Sequence, residues 1–148
     1  FALAQSIAGA MAASYTAYNE YETLQAGIAE RQKLLKDRPE AKELLEALGK
    51  LQQSAMDIAE GRGEATGIGP MNRDISRYFT MVESADIRPP ASAQTAAHES
   101  CVLLRKRLSE WKALNQETLP SMNRNLESAH VFALPIAAKN APALSCDP

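Results

Sequence analysis

The chain has 148 residues, 45% of them hydrophobic but only 5% aromatic, and a formal charge of −2 at pH 7. That length suits one domain with a substantial core. The balanced charge excludes the basic footprint of a nucleic-acid binder, and no polybasic run points to an anionic membrane surface. Most apolar residues are Ala and Leu, and β-branched residues are sparse, which favours helix over sheet. The opening "FALAQSIAGAMAA" is interrupted by Gln5 and Ser6 and falls short of the ~20 consecutive apolar residues of a transmembrane helix. It also lacks the basic leader of a signal peptide. The start at Phe1 reads as an excised or processed piece of something larger.

In chain order, Leu3, Ile7, Met11, Ser14, Tyr18, Tyr21, Leu24, Ile28 and Leu35 recur at threes and fours. This spacing predicts a long helix over about 2–36. "KDRPEAKELL" then offers Asp37 as an N-cap, Glu40 as its capping-box partner and Pro39 in the first turn. A second helix over about 38–60 carries Ala41, Leu44, Leu45, Leu48, Leu51, Ala55 and Ile58 inward. It stops at "EGRGEATGIGP", whose glycines cannot sustain a helix. A third helix fits 71–85, with Ile75, Phe79 and Val82 inward, and "DIRPP" breaks it. The fourth spans about 91–130.

The fourth stripe reads Cys101, Leu104, Leu108, Trp111, Asn115, Leu119, Met122, Leu126 and Ala129. Its phase survives Pro120, so one long helix is expected, bent where Pro120 cannot donate to the Gln116 carbonyl. Asn115 either fixes register against a neighbouring helix or tips to solvent. Arg105, Lys106 and Arg107 read as the wet face. At 1.5 Å per residue the first and last helices run roughly 50–60 Å each. The fold class is therefore all-α, an antiparallel bundle of four helices. The alternative is three long rods, the middle one broken at residues 61–70.

The tail, 131–148, has no helical period, but Phe132, Leu134 and Ile136 alternate, which predicts an extended segment with one apolar side. Cys101 and Cys146 belong to no zinc or redox motif. They are either free thiols of a cytosolic protein or one disulfide of an exported one. About 43 Å of helix separates Cys101 from residue 130, and the tail reaches about 53 Å when stretched. The bond forms only if the tail runs back along the last helix; closing that loop contributes ~4 kcal/mol on the chain-entropy model.

No catalytic, cofactor-binding or metal-ligating set emerges. "GRGEATGIG" lacks the preceding strand and following Gly-Lys-Ser/Thr of a phosphate loop. Glu127 and His130 form one E-x-x-H, but His98 supplies no second, so the di-metal pattern of helical bundles is incomplete. Haem ligation by Met11 or Met122 with His98 has no further support. Asp57, Glu60, Glu64, Asp74, Glu83 and Asp86 flank the glycine segment. Paired acids there would suit glycoside hydrolysis, although acids on helix faces ordinarily serve solvation. Tyr15, Tyr18 and Tyr21, three apart, form either an aromatic contact row or core with hydroxyls at the rim.

"MNRDISRYFTMVESAD", the proline break, "AQTAAHES" and "WKALNQETLPSMNRNL" together resemble the C-terminal helical region of secreted bacterial proteins with BNR-type, sialidase- or sortilin-like β-propellers, labelled glycosyl hydrolases. The likeness covers about 60 residues and contains no motif that performs chemistry. Where this chain has Pro90, such segments carry a Ser or Thr cap, a role Ser92 would take over. The resemblance implies a secreted or periplasmic location. It also implies a non-catalytic accessory or interaction module, whose partners are other domains of the parent chain, another protein or a second copy. The alternative is a small-ligand or cofactor-binding bundle using the tyrosine row or the two histidines. A free-standing hydrolase using the acids is the third reading.

Overall fold

The structure, a computed structural model, describes residues 2–84, 88–137 and 144–146, with side chains from Gln5 onward. The helices are α1 (Ala2–Leu35), α2 (Lys42–Ala59), α3 (Ile68–Ser84), α4 (Ala91–Ala113) and α5 (Leu119–Ser128). A two-residue hairpin of β1 (Gly61–Arg62) and β2 (Ala65–Thr66) separates α2 from α3. The all-α bundle expected from the sequence is what forms. The predicted end of the third helix at Ala85, and Asp86 beyond it, lie outside the described residues.

The helical segments pack as three rods, the arrangement held as the alternative. Gln25 and Gln32 of α1 hydrogen-bond Gln52 of α2. Tyr18 meets Glu60, and farther toward the start of α1, Met11 and Ser14 meet Asn72 of α3. So α2 and α3 run end to end, both antiparallel to α1, and touch each other little. The third rod, α4 to α5, runs parallel to α1, with Trp111 edge-on to Tyr21 at 6.4 Å between ring centroids. The physical reason is length. α1 has 34 residues, while α2 and α3 have 18 and 17, so only the two together cover its apolar stripe.

That stripe is centred one residue from its predicted line at two places. Ala10 and Ala17 are buried, whereas Met11 and Tyr18 are half-buried. Ser14 is fully buried; its Oγ donates to the Met11 carbonyl (3.0 Å) and accepts from Asn72 Nδ2 (2.6 Å). A buried hydroxyl satisfied in both senses costs little and fixes the register of α3 on α1.

Two predicted caps do not form. Pro39 pushes Arg38 into extended geometry (φ −101°, ψ 108°), so Arg38 rather than Asp37 takes the cap position of a 3₁₀ turn over Pro39–Ala41, without a side-chain cap. At the fourth helix Ser92 lies inside the first turn; Pro90 holds the cap position, and its carbonyl accepts from Ala93 and Gln94 N–H. α3 begins at Ile68, three residues before the predicted Met71, because Pro70 is tolerated in a first turn. Between α2 and α3 the chain reverses through Gly61 (φ 95°) and Gly63 (φ 59°), backbone that L side chains rarely adopt.

The disturbance around Pro120 is a π-helical turn at Leu114–Thr118, one turn upstream of the proline. Leu119 N–H reaches the Leu114 carbonyl, five residues back. Pro120 cannot donate and its ring crowds the preceding turn, and a widened turn relieves that crowding. It also turns both Leu114 and Asn115 inward. The rod ends at Ala129 in a Schellman motif: Val131 N–H donates to the Leu126 carbonyl (2.9 Å) and His130 N–H to the Glu127 carbonyl (2.9 Å). His130 sits at the left-handed position (φ 59°) where glycine is usual.

Candidate functional site

Residues 131–137 turn back along the last rod, as the reach of the tail required, but their backbone joins no sheet. Side chains supply the hydrogen bonds instead. Asn123 Oδ1 accepts from Leu134 N–H (2.7 Å) and its Nδ2 donates to the Leu134 carbonyl (3.1 Å), as a neighbouring strand would. Asn115 Nδ2 donates to the Trp111 carbonyl (2.9 Å) while its Oδ1 accepts from Ala137 N–H (2.8 Å). Asn115 therefore neither registers a neighbouring helix nor faces solvent; it is buried and holds the tail. Arg31 donates from Nε to the Phe132 carbonyl (3.0 Å) and from its terminal nitrogen to that of Ala133 (2.7 Å). Gly27 leaves room for this crossing, since a Cβ there would lie 3.2 Å from Leu134 Cδ2.

The predicted alternation is replaced by a spacing of three. Val131 and Leu134 are buried, whereas Phe132 is 86% exposed and Ile136 is exposed. With no partner strand, the polar backbone groups of this segment are left for such clamps. Farther on, Cys146 is joined to Cys101 by a disulfide, with Cα atoms 5.7 Å apart.

Beside that disulfide lies a cavity of about 350 Å³ that opens to solvent at the exposed Thr95 and His98. Ser6, Ile7 and Ala10 of α1 form one wall, and Ile75 and Tyr78 of α3 a second. The third comes from α4, where Gln94, Thr95, Ala97 and His98 precede the disulfide. The space exists because Ser6, Ala10 and Ala97 are too small to meet across the seam. Among the described residues the wall contains no Lys, Arg, Asp or Glu. His98 Nδ1 lies 3.2 Å from the Cys146 carbonyl oxygen. That oxygen only accepts, so Nδ1 donates there, and in the tautomer protonated at Nδ1 the other nitrogen, Nε2, is left to accept. Gln94 Nε2 donates to the Pro89 carbonyl (2.9 Å), which leaves its Oε1 to accept.

The three tyrosines of the predicted row diverge. Tyr15 is 67% exposed, Tyr18 half-buried and Tyr21 buried. Successive steps of three turn each ring farther round the helix. Tyr18 and Tyr21 do touch, tilted, at 5.5 Å between ring centroids. Tyr18 donates its hydroxyl to Glu60 Oε1, and that bond, with burial second, pushes its pKa up to about 12. Of the acids near the glycine segment, Asp57 accepts from Gln53 and pairs with Arg62, and Asp74 pairs with Arg77. Glu127 and His130 meet only through the turn that ends α5. Arg107 is no part of a wet face. It is half-buried, donates from Nε to the Thr66 carbonyl (2.9 Å) and pairs with Glu110 (2.9 Å), and so ties α4 to the hairpin.

Among the described residues, no group of three or more His, Cys, Asp or Glu is placed to hold a metal ion, and no helix is long and apolar enough to cross a membrane. Sequence reasoning missed Tyr78, Arg31 and Asn123. Asn115 and Asn123 lie eight residues apart on one helix, and that repeat was the available signal for the tail clamp. No protein-family model, curated protein or solved structure matches the chain.

Proposed function

We propose that this chain is a non-catalytic helical module of an exported multidomain protein, a β-propeller protein of the BNR, glycosyl-hydrolase-like kind, and that it works by presenting a fixed surface to the rest of that protein. One observation carries this reading: the clamped tail holds Phe132 86% exposed. Arg31 holds the carbonyls of Phe132 and Ala133 and Asn123 the backbone of Leu134, so docking Phe132 requires little further ordering. Burying such a side chain contributes about 1.5–3 kcal/mol. The disulfide supports an oxidising compartment, secreted or periplasmic.

The test is association of this chain with the separately purified remainder of its parent. Phe132→Ser weakens the association at least tenfold while the melting temperature stays unchanged. Binding indifferent to Phe132, or a parent reading frame without propeller repeats, removes the reading. A mass that doubles with concentration in light scattering assigns the surface to a second copy instead.

A further inference from the structure

We propose that the cavity beside the disulfide is a binding site for a small, uncharged, mostly apolar molecule carrying one hydroxyl group, such as a phenol or a ring-bearing alcohol. This goes beyond the docking role, which uses a different face of the molecule. The size is the first argument. Roughly 150 Å³ suffices for one benzene ring in an apolar protein cavity. The cavity here is about 350 Å³, in the range of small-molecule sites and large enough for a fused pair of rings.

The wall chemistry is the second argument. Ile7, Ala10, Ile75 and Ala97 give an apolar floor, and Tyr78, Gln94 and His98 supply hydrogen-bonding groups. Oε1 of Gln94 is an acceptor left over once its amide nitrogen is engaged by a carbonyl, and so is Nε2 of His98 in the tautomer protonated at Nδ1. No described residue partners the Tyr78 hydroxyl. These acceptors suit a ligand that donates, and a hydroxyl is the smallest donor an apolar body can carry. An anionic head would find no cation among the described residues of the wall, and leaving a charge unpaired against an apolar floor is costly.

Isothermal titration calorimetry of the intact, oxidised chain with 2-naphthol tests this, with naphthalene-2-sulfonate as the anionic control on the same ring. Saturable one-to-one binding of 2-naphthol is expected, with the sulfonate at least tenfold weaker. Tyr78→Phe weakens 2-naphthol about three- to tenfold, the loss of one neutral hydrogen bond. Ala10→Leu and Ala97→Leu, which fill the space from opposite walls, each abolish binding while the far-ultraviolet circular dichroism stays helical. The amide shifts of residues 94–98 move with 2-naphthol in the unmutated chain, a readout that needs no variant to fold. Absence of saturable 2-naphthol binding, equal binding of the sulfonate, or shifts clustered elsewhere would each overturn the proposal.

Discussion

The two ends of the bundle follow one helical repeat and differ in the volume that fills it. At the end where α2 packs on α1 and α5, the core carries Leu24, Ile28, Leu35, Leu48, Leu119 and Leu126, all essentially inaccessible. At the other end, where α1 meets α3 and α4, Ser6, Ala10 and Ala97 occupy corresponding seam positions and leave the cavity. Periodicity places a side chain inside; its size decides whether the inside is filled. The ends are also secured differently. The filled end relies on packing and on the amide and guanidinium clamps of the tail. The open end has a covalent bond.

If the open end depends on that bond, replacing both cysteines by serine should have the largest effect. A loss of up to ~4 kcal/mol is expected from the 45-residue separation. Amide exchange should accelerate first around residues 94–101, while the amides of Leu24 and Ile28 stay protected. Uniform acceleration would erase the distinction between the ends.

Next in size, Leu24→Ala should cost about 3 kcal/mol in urea unfolding, since a packed site cannot collapse around the lost methylenes. Ala10→Leu at the open end, which adds methylenes to vacant space, should cost less than about 1 kcal/mol or stabilise the fold. Equal costs would mean that the cavity closes in solution.

The smallest effect lies at the joint between the ends. Tyr18 is held protonated by its bond to Glu60, with its pKa raised from 10.0 to about 12. A raised pKa means that the folded state favours the neutral phenol. Its contribution is therefore complete below pH 10 and is lost as pH rises through about 12. Tyr18→Phe should destabilise by about 1 kcal/mol at neutral pH, and the difference from the unmutated chain should vanish across that alkaline window. A difference that persists above pH 12 would assign the effect to packing.

Much of this was legible in the sequence. Helical phase, the proline and glycine breaks and the reach of the tail led to an all-α bundle in which a Cys101–Cys146 bond was one of two possibilities. The choice between four helices and three rods was not, because spacing along one helix does not say which neighbour covers which length. The π turn was missed because proline's crowding can be relieved by a bend or by widening, and both keep the downstream seam buried. The clamps were missed for another reason. Asn115 and Asn123 partner the backbone of the tail, and backbone carries no side-chain signal to pair with. The cavity was half-visible in "SIAGAMAA" and "SAQTAA", two alanine-rich runs whose facing positions only the three-rod packing reveals.

The bonds from Arg31 to the carbonyls of Phe132 and Ala133 span 101 and 102 residues of sequence. Within the bundle, α1 is thus covered by a segment that follows all the other helices. Until that segment arrives, the strip around Gly27 and Arg31 stays bare, and a nascent chain halted before residue 131 would present it to chaperones.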